Sequence, residues 1–401
     1  MTPDDHSHNW PVPFQALEHR EFLRLWLATF ISNSGSWMQR VSTSWLIYKM
    51  SDSIAWLGID AVAAGVPALL ILPMAGMLAD STDRRRLLVL VNVLNALLAM
   101  ALAALVWTGL LVPWHLILAS LLSGTVTAVG APSSQSIIPR AAGEDHIASA
   151  IALNSFQYNT ARAAGPAMGG LALAILGAGW CFALNGATFL VMVAALLTLR
   201  GMPHASQGRQ PARAGLAEVF LHVRERRDLR RLLVLVLLSA FCGAPIVTLL
   251  PAVAKLGAGG AGEYSALLTS FGIGAAAAGL LLTSLGLKKY AIRWIAVAGI
   301  VVGVAQALAG SSRWFPLTVG AVTLAGAAFV GGMIAVGTEL LSRTSDELRG
   351  RISALQQLCF RTAQPLGSLV ASILAESVGL PCVFLVFAAV MVVGCLALAR
   401  P

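Results

Sequence analysis

The feature that most limits what this chain can become is a succession of apolar runs, each about as long as a bilayer is thick. They fall at residues 22–48, 54–79, 87–108, 114–138, 147–176, 178–199, 231–254, 264–286, 291–309, 315–341, 350–377 and 380–399, bounded by charges, Pro or Gly. A helix needs roughly 20 apolar residues to cross the hydrocarbon core. With 57% hydrophobic and 11% charged side chains, the chain has too little polar surface to wrap a water-soluble domain. Backbone amides cannot stay unpaired in lipid, and the period-two alternation of barrel strands is missing. The expected fold class is therefore all-α and integral to a membrane, with twelve transmembrane helices.

The charges orient these helices. Residues 1–21 are polar and lack the short apolar core of a signal peptide, so they read as a cytoplasmic tail. From that start, only Lys49, Lys255 and Arg313 of the 27 basic residues fall at outer ends, and Arg40, Arg162 and Arg361 fall within spans. All the others lie at inner ends, which predicts that both termini are cytoplasmic. The net charge of +9 is thus a topology signal and not a footprint for nucleic acid.

A repeat divides the chain. Gln157, Arg162 and Pro166 in the fifth run recur as Gln356, Arg361 and Pro365 in the eleventh, each displaced by 199 residues. Arginine is costly in a span and Pro removes a helix hydrogen bond, so their joint recurrence points to internal duplication. Two six-helix bundles are predicted, at 22–199 and 230–401, joined by a hydrophilic linker at 200–229. Within the linker, Leu216, Val219, Phe220 and Val223 share one helical face beside Arg224, Arg226 and Arg227, the pattern of a helix lying on an anionic membrane surface.

Few residues carry charge at membrane depth, and an ionised group there costs several kcal/mol unless paired or hydrated. At about 1.5 Å per residue, Arg40 lies roughly 15 Å below the outer end of its helix and Asp60 roughly 10 Å below the outer end of the next. Either they form a static ion pair, or Asp60 takes and gives a coupling proton. Arg162 and Arg361 sit symmetrically near mid-membrane, where they either face a central cavity and hold an anionic ligand or bond polar neighbours such as Asn154, Gln157 and Gln356. Trp37, Trp45, Trp56, Trp107 and Trp114 lie toward the outer half of the first four helices, as in an interfacial aromatic belt, with a cavity-lining role as the alternative for Trp37. The five cysteines stand singly in apolar stretches, so no metal site or disulfide framework is expected.

Two motifs narrow the reading. Gly76, Asp80 and the arginines Arg84, Arg85 and Arg86 follow the second run, where Gly76 allows close helix contact and Asp80 can pair with cations or helix amino termini. This resembles motif A of the major facilitator superfamily, with Ser81 where a basic residue is usual and Asp83 where Gly is usual. The resemblance implies a cytoplasmic gate built on Gly76, Asp80 and Arg84. In the fifth run, Gly165-Pro166-Ala167-Met168-Gly169-Gly170 combines a bend with three glycines that let a neighbouring helix approach closely. It resembles the core of motif C, found in exporters of the antiporter type, with Ala152 and Ala161 where the full motif has Gly.

More widely, residues 20–199 are similar to the transmembrane secretion effector branch, which includes exporters of siderophores such as enterobactin and macrolide efflux pumps. Gly130-Ala131-Pro132, Gln135, Ile138-Pro139, Ala148, Ala150 to Ser155, Arg162 and Gly165-Pro166 carry the likeness. It implies a multi-pass protein of the bacterial inner membrane, a monomer without cofactors, that exchanges protons for an amphipathic small molecule, foremost a siderophore. A broad drug or macrolide pump is the alternative, and an inward symporter is disfavoured by the motif at Gly165. The fourth run has no basic residue between Pro113 and Pro139, so the family's motif B arginine is absent and coupling by that route is not expected. A membrane-embedded enzyme would need a clustered acid/base or metal constellation. No HExxH or nucleotide-binding loop occurs in the sequence.

Overall fold

In a computed structural model, which describes residues 12–199, 223–256, 259–285 and 292–399, the chain is helical almost throughout. A 3-10 turn at Val12–Glu18 leads into α1 (Arg20–Ser51), α2 (Ala55–Ser81), α3 (Arg84–Trp107), α4 (Pro113–Arg140), α5 (Ile147–Ile175) and α6 (Ala178–Thr198). After the linker come α7 (Arg227–Leu256), α8 (Ala261–Ser284), α9 (Ile292–Ser311), α10 (Phe315–Ser342), α11 (Asp346–Val378) and α12 (Leu380–Ala399). Twelve rods thus occur among the described residues, one for each apolar run, and nine of them are long and apolar enough to cross a bilayer by length and composition. The three outside that set, α1, α2 and α5, are the ones that carry Arg40, Asp60 and Asn154 with Gln157.

Local chemistry sets the helix ends and bends. Asp83 caps α3, its carboxylate accepting from the Arg85 and Arg86 amides at 2.9 and 3.2 Å. Pro113 opens α4, where its missing N–H is no loss. Within α7 a π turn at Ser239–Gly243 precedes Pro245, which cannot donate to the Phe241 carbonyl four residues back. Gly367 of α11 packs directly on that carbonyl, in space that a Cβ would occupy.

The helices pack in a pattern that repeats when each number is advanced by six. In the first bundle α1 packs on α5 and α6, α2 on α4, and α3 on α4 and α6. In the second, α7 packs on α11 and α12, α8 on α10, and α9 on α10 and α12. The bundles meet through α2 with α11 and α5 with α8, a pairing that the same shift maps onto itself. Leu70, Leu97, Leu280, Trp294 and Val393 project outward and are well exposed, an apolar surface suited to lipid. Cys181, Cys242 and Cys395 are buried thiols, Cys359 is half-buried and Cys382 is exposed.

The expected surface helix in the linker falls mostly on residues 200–222, outside those described. Val223, assigned to its membrane-facing side, is buried in the protein core.

Candidate functional site

The bundle has two distinguishable ends. The end that holds the start of α1 and the Arg84 to Arg86 loop is termed the basic face, and the other the distal face.

At the distal face the bundles interlock. A Cβ on Gly58 of α2 would lie 2.8 Å from the Leu369 Cα and the Ser372 Cβ of α11, and one on Gly65 would lie 3.2 Å from the Pro365 ring. Ile54, at the amino terminus of α2, has no side chain able to cap it. Glu376 of α11 does so from the other bundle, its Oε2 accepting from the Ile54 and Ala55 amides at 2.6 and 3.3 Å. Lys255 at the end of α7 pairs with Asp52 after α1, and its Nζ lies 5.1 Å from the centre of the Tyr48 ring.

The motif in α5 lies along the same contact. Gly165 and Gly169 seat α5 on Trp37 and Met38 of α1, where a Cβ on Gly169 would come within 2.7 Å of the Met38 Cα. A Cβ on Gly170 would overlap the Ser265 side chain of α8. Gly170 therefore faces the other bundle, and Gly165 and Gly169 face their own. The Pro166 side chain lies outside the described residues.

Toward the basic face the exposure of α11 changes. Pro365, Leu369, Ser372 and Glu376 share one stripe of α11 at helical spacing, and Arg361, Gln357, Ala354 and Gly350 continue it. Pro365 and Ser372 are buried, whereas Arg361, Gln357, Ala354 and Gly350 are all exposed, so the stripe that α2 covers above Pro365 is uncovered below it. Arg361 stands one turn below Pro365. Gln356 is half-buried and packs near Gly337 of α10. Arg162 lies in α5, with its side chain outside the described residues.

On this face, four bonds among the described residues each stay within one bundle. Arg84 donates to the Ser136 hydroxyl of α4 at 2.6 Å, and Arg85 to the Leu197 carbonyl at 2.6 Å. Arg343 pairs with the buried Glu339 at 2.6 Å and with Asp228 of α7 at 3.5 Å. Gly76 and Asp80 fall within α2, with their side chains outside the described residues.

Between the two faces lies a polar cluster in which Asp60, Ser44 and Ser120 are half-buried, Arg40 is exposed and Tyr264 is buried. Asp60 of α2 has a buried Oδ1 without a hydrogen-bond partner. The Ser120 hydroxyl of α4 and the Arg40 guanidinium of α1 act on its carboxyl. Among the ion pairs of the described residues none joins Asp60 to Arg40, so the direct pair weighed from the sequence is not formed. Arg40 lies instead over the half-buried Trp37 ring, 4.8 Å from its centre. Tyr264 of α8 enters the cluster from the other bundle, its hydroxyl beside Ser44 and its ring stacked on Trp45 at 6.0 Å.

The remaining candidates form seams along α1. Asn33 donates to Gln157 at 3.3 Å, and Gln157 donates to Asn154 at 3.0 Å. Gln157 is 1% exposed, so this amide chain is enclosed between α1 and α5. Asn185 of α6 similarly donates to Gln39 at 2.7 Å. Sequence reasoning passed over Tyr264, Ser44 and Ser120, and placed Glu376 near the outer end of its span without a partner. Lys255 alone carried a signal, as one of three basic residues on the sparsely charged side.

Comparison with known proteins agrees with this architecture. Over 379 residues the chain is 26% identical to the multidrug efflux pump Tap of Mycolicibacterium fortuitum, covering 90% of this chain and 91% of that protein. Over 229 residues it is 26% identical to the staphyloferrin A transporter of Staphylococcus aureus (strain NCTC 8325 / PS 47), a match spanning 56% of this chain and only 57% of that transporter. A bacterial homolog of the human lysosomal transporter Spinster, solved in an inward-facing and unoccupied conformation, superposes with a TM-score of 0.72 at 17% identity, over 95% of this chain and 96% of the other. Residues 12–401 match the transmembrane secretion effector family. The chain is a multi-pass membrane protein that belongs to that family, within the major facilitator superfamily of transporters.

Proposed function

We propose that the protein is a secondary active exporter of the bacterial inner membrane that exchanges protons for an amphipathic small molecule, with a siderophore as cargo. Its family is one of transporters and not of enzymes. In this reading residues 22–199 and 230–401 are two bundles that rock about a central cleft, and residues 200–229 link them. The abundance of basic residues on one face supports a cytoplasmic basic face with both termini inside.

The observation that carries the reading is the stripe along α11, closed against α2 from Pro365 to Glu376 and exposed from Arg361 to Gly350. A cleft shut distally and open toward the basic face takes its cargo from the cytoplasm, where a siderophore is made. Arg361, always charged, offers a carboxylate or catecholate a planar pair of donors at the cleft's inner end. Arg162 would approach from the repeat-related position, with Asn154, Gln356 and Trp37 around the cavity and the enclosed Gln157 holding Asn154 through its hydrogen bond. Gly76, Asp80 and Arg84 would close the cytoplasmic side in the opposite state. The working unit is a monomer in the bilayer.

Asp60 is the coupling carboxylate of this scheme. Its Oδ1 is buried without a partner, and Arg40 is near enough to act on it but is held over Trp37. Such a group can be protonated without first breaking an ion pair. Asp60→Asn should abolish gradient-driven export while leaving the protein in the membrane. Undiminished release would remove Asp60 from the coupling role.

The cargo is tested by deleting the gene and measuring iron-chelating activity in cells and in medium. Retention inside with loss from the medium is expected, and an unchanged distribution would overturn the siderophore reading. The second reading, a broad efflux pump, is favoured by the near full-length likeness to Tap. It predicts that the deletion strain becomes sensitive to ethidium and erythromycin with no change in chelator release.

A further inference from the structure

A coupling carboxylate must never be open to both sides of the membrane at once. Asp60, Arg40, Ser44 and Ser120 all belong to the first bundle, so movement between bundles leaves their mutual arrangement intact. Whatever alternates their exposure has to come from the second. Tyr264 does. It lies in the first turn of α8, which is fixed by Glu263 accepting from the Gly260 amide at 2.7 Å. It is 2% exposed, and its ring lies 6.0 Å from that of Trp45 with only 15° between the planes. The next residue, Ser265, is the one seated on Gly170, so two consecutive residues of α8 are wedged into the first bundle.

The groups that face this point come from each helix around it. Arg40 on α1 and the Ser120 hydroxyl on α4 act on Asp60 of α2, while Asp60, Arg40 and the Ser44 hydroxyl act on Tyr264. Tyr48, Asp52, Lys255 and Glu376 lie further out, at the distal rim.

We propose that Tyr264 is the distal seal of the Asp60 site: stacked on Trp45 it blocks the path from the distal side to the carboxyl, and it withdraws with α8 when the bundles part there. Tyr264 is a positioning residue that excludes water, and it neither gives nor takes the proton. The proposal rests on Asp60 as the coupling group.

The test uses the full-length protein in liposomes loaded with the pH dye pyranine, under an imposed pH gradient and without cargo. Tyr264→Ala should raise proton entry several-fold, and Tyr264→Phe, which keeps the ring, should stay as tight as the unaltered protein. Adding Asp60→Asn to Tyr264→Ala should restore tightness, a result that a mere hole in the packing would not give. A tight Tyr264→Ala protein, or a leak indifferent to Asp60→Asn, overturns the proposal. The underlying reading fails separately, by gradient-driven chelator release that survives Asp60→Asn alone. If the alanine variant does not reach the membrane, Tyr264→Leu carries the same comparison.

Discussion

The distal and basic faces are held together by different kinds of bond. At the distal face the contacts cross between bundles: Glu376 on the α2 amides, Lys255 on Asp52, Tyr264 on Trp45, Ser265 on Gly170. Among the described bonds at the basic face, Arg84 reaches Ser136 and Arg343 reaches Glu339 and Asp228, each within its own bundle. The first set must break for the distal side to open. The second can persist through the cycle, which makes it a brace for each bundle. The contrast teaches where a substitution will act on the equilibrium between states and where it will act on folding.

Gly170 should give the largest effect on that equilibrium. A methyl group there would overlap both Cβ and Oγ of Ser265, so rotating the hydroxyl cannot relieve it and α8 has to move. Gly170→Ala should hold the distal face open and reduce export by about five- to 150-fold, the penalty of overpacking at a rigid contact being typically about 1–3 kcal/mol. Spin labels at the distal ends of α5 and α8 would report the longer distance. Ser265→Gly should rescue it in part, since the Ser265 Cα would then be the nearest atom at 3.1 Å. Failure of that rescue would mean that Gly170 matters for a reason other than this contact.

Glu376 should come next. Its carboxylate supplies the cap that Ile54 cannot, but the site is exposed to water and screened by salt. Glu376→Ala should shift the balance toward the distally open state by about fivefold, the size usual for loss of a cap. The same labels would read a partial redistribution rather than full opening. Arg84→Ala, which removes a bond inside the first bundle, should lower the yield of folded protein and leave the label distances unchanged.

The difference between the faces also marks what could be read from the sequence. Helix number and placement were legible because the bilayer imposes a length and confines most charge to the ends. The glycines of α5 were legible as sites of close approach, although which helix each one meets was not: Gly165 and Gly169 touch α1, and Gly170 touches α8. Asp83 stood out as a departure from a motif, and an Asp just before a helix is also what an N-cap requires. Arg40 and Asp60 were placed at similar depth by helix rise alone, but rise cannot reveal that the Trp37 face would hold the guanidinium away from the carboxyl. Tyr264 was illegible. Its partners Ser44 and Trp45 lie in the other bundle, and no periodicity within α8 points to them.

The smallest effect separates an attraction that is merely present from one that decides the state. Lys255 and Asp52 join the bundles at the distal rim, but their side chains are 55% and 78% exposed. Charges so well hydrated gain little on pairing, and salt screens what remains. Neutralising either one, by Lys255→Gln or Asp52→Asn, should change the distribution of states by less than about twofold, an effect that shrinks in high salt. Exchanging the two charges together should restore the original distribution, because the pairing depends on opposite sign and on neither residue by itself. If either single change opened the distal face as far as Gly170→Ala does, the closure would be electrostatic and not steric. Glycine-mediated packing of α5 and α2 would then lose its place as the main force holding the bundles together there.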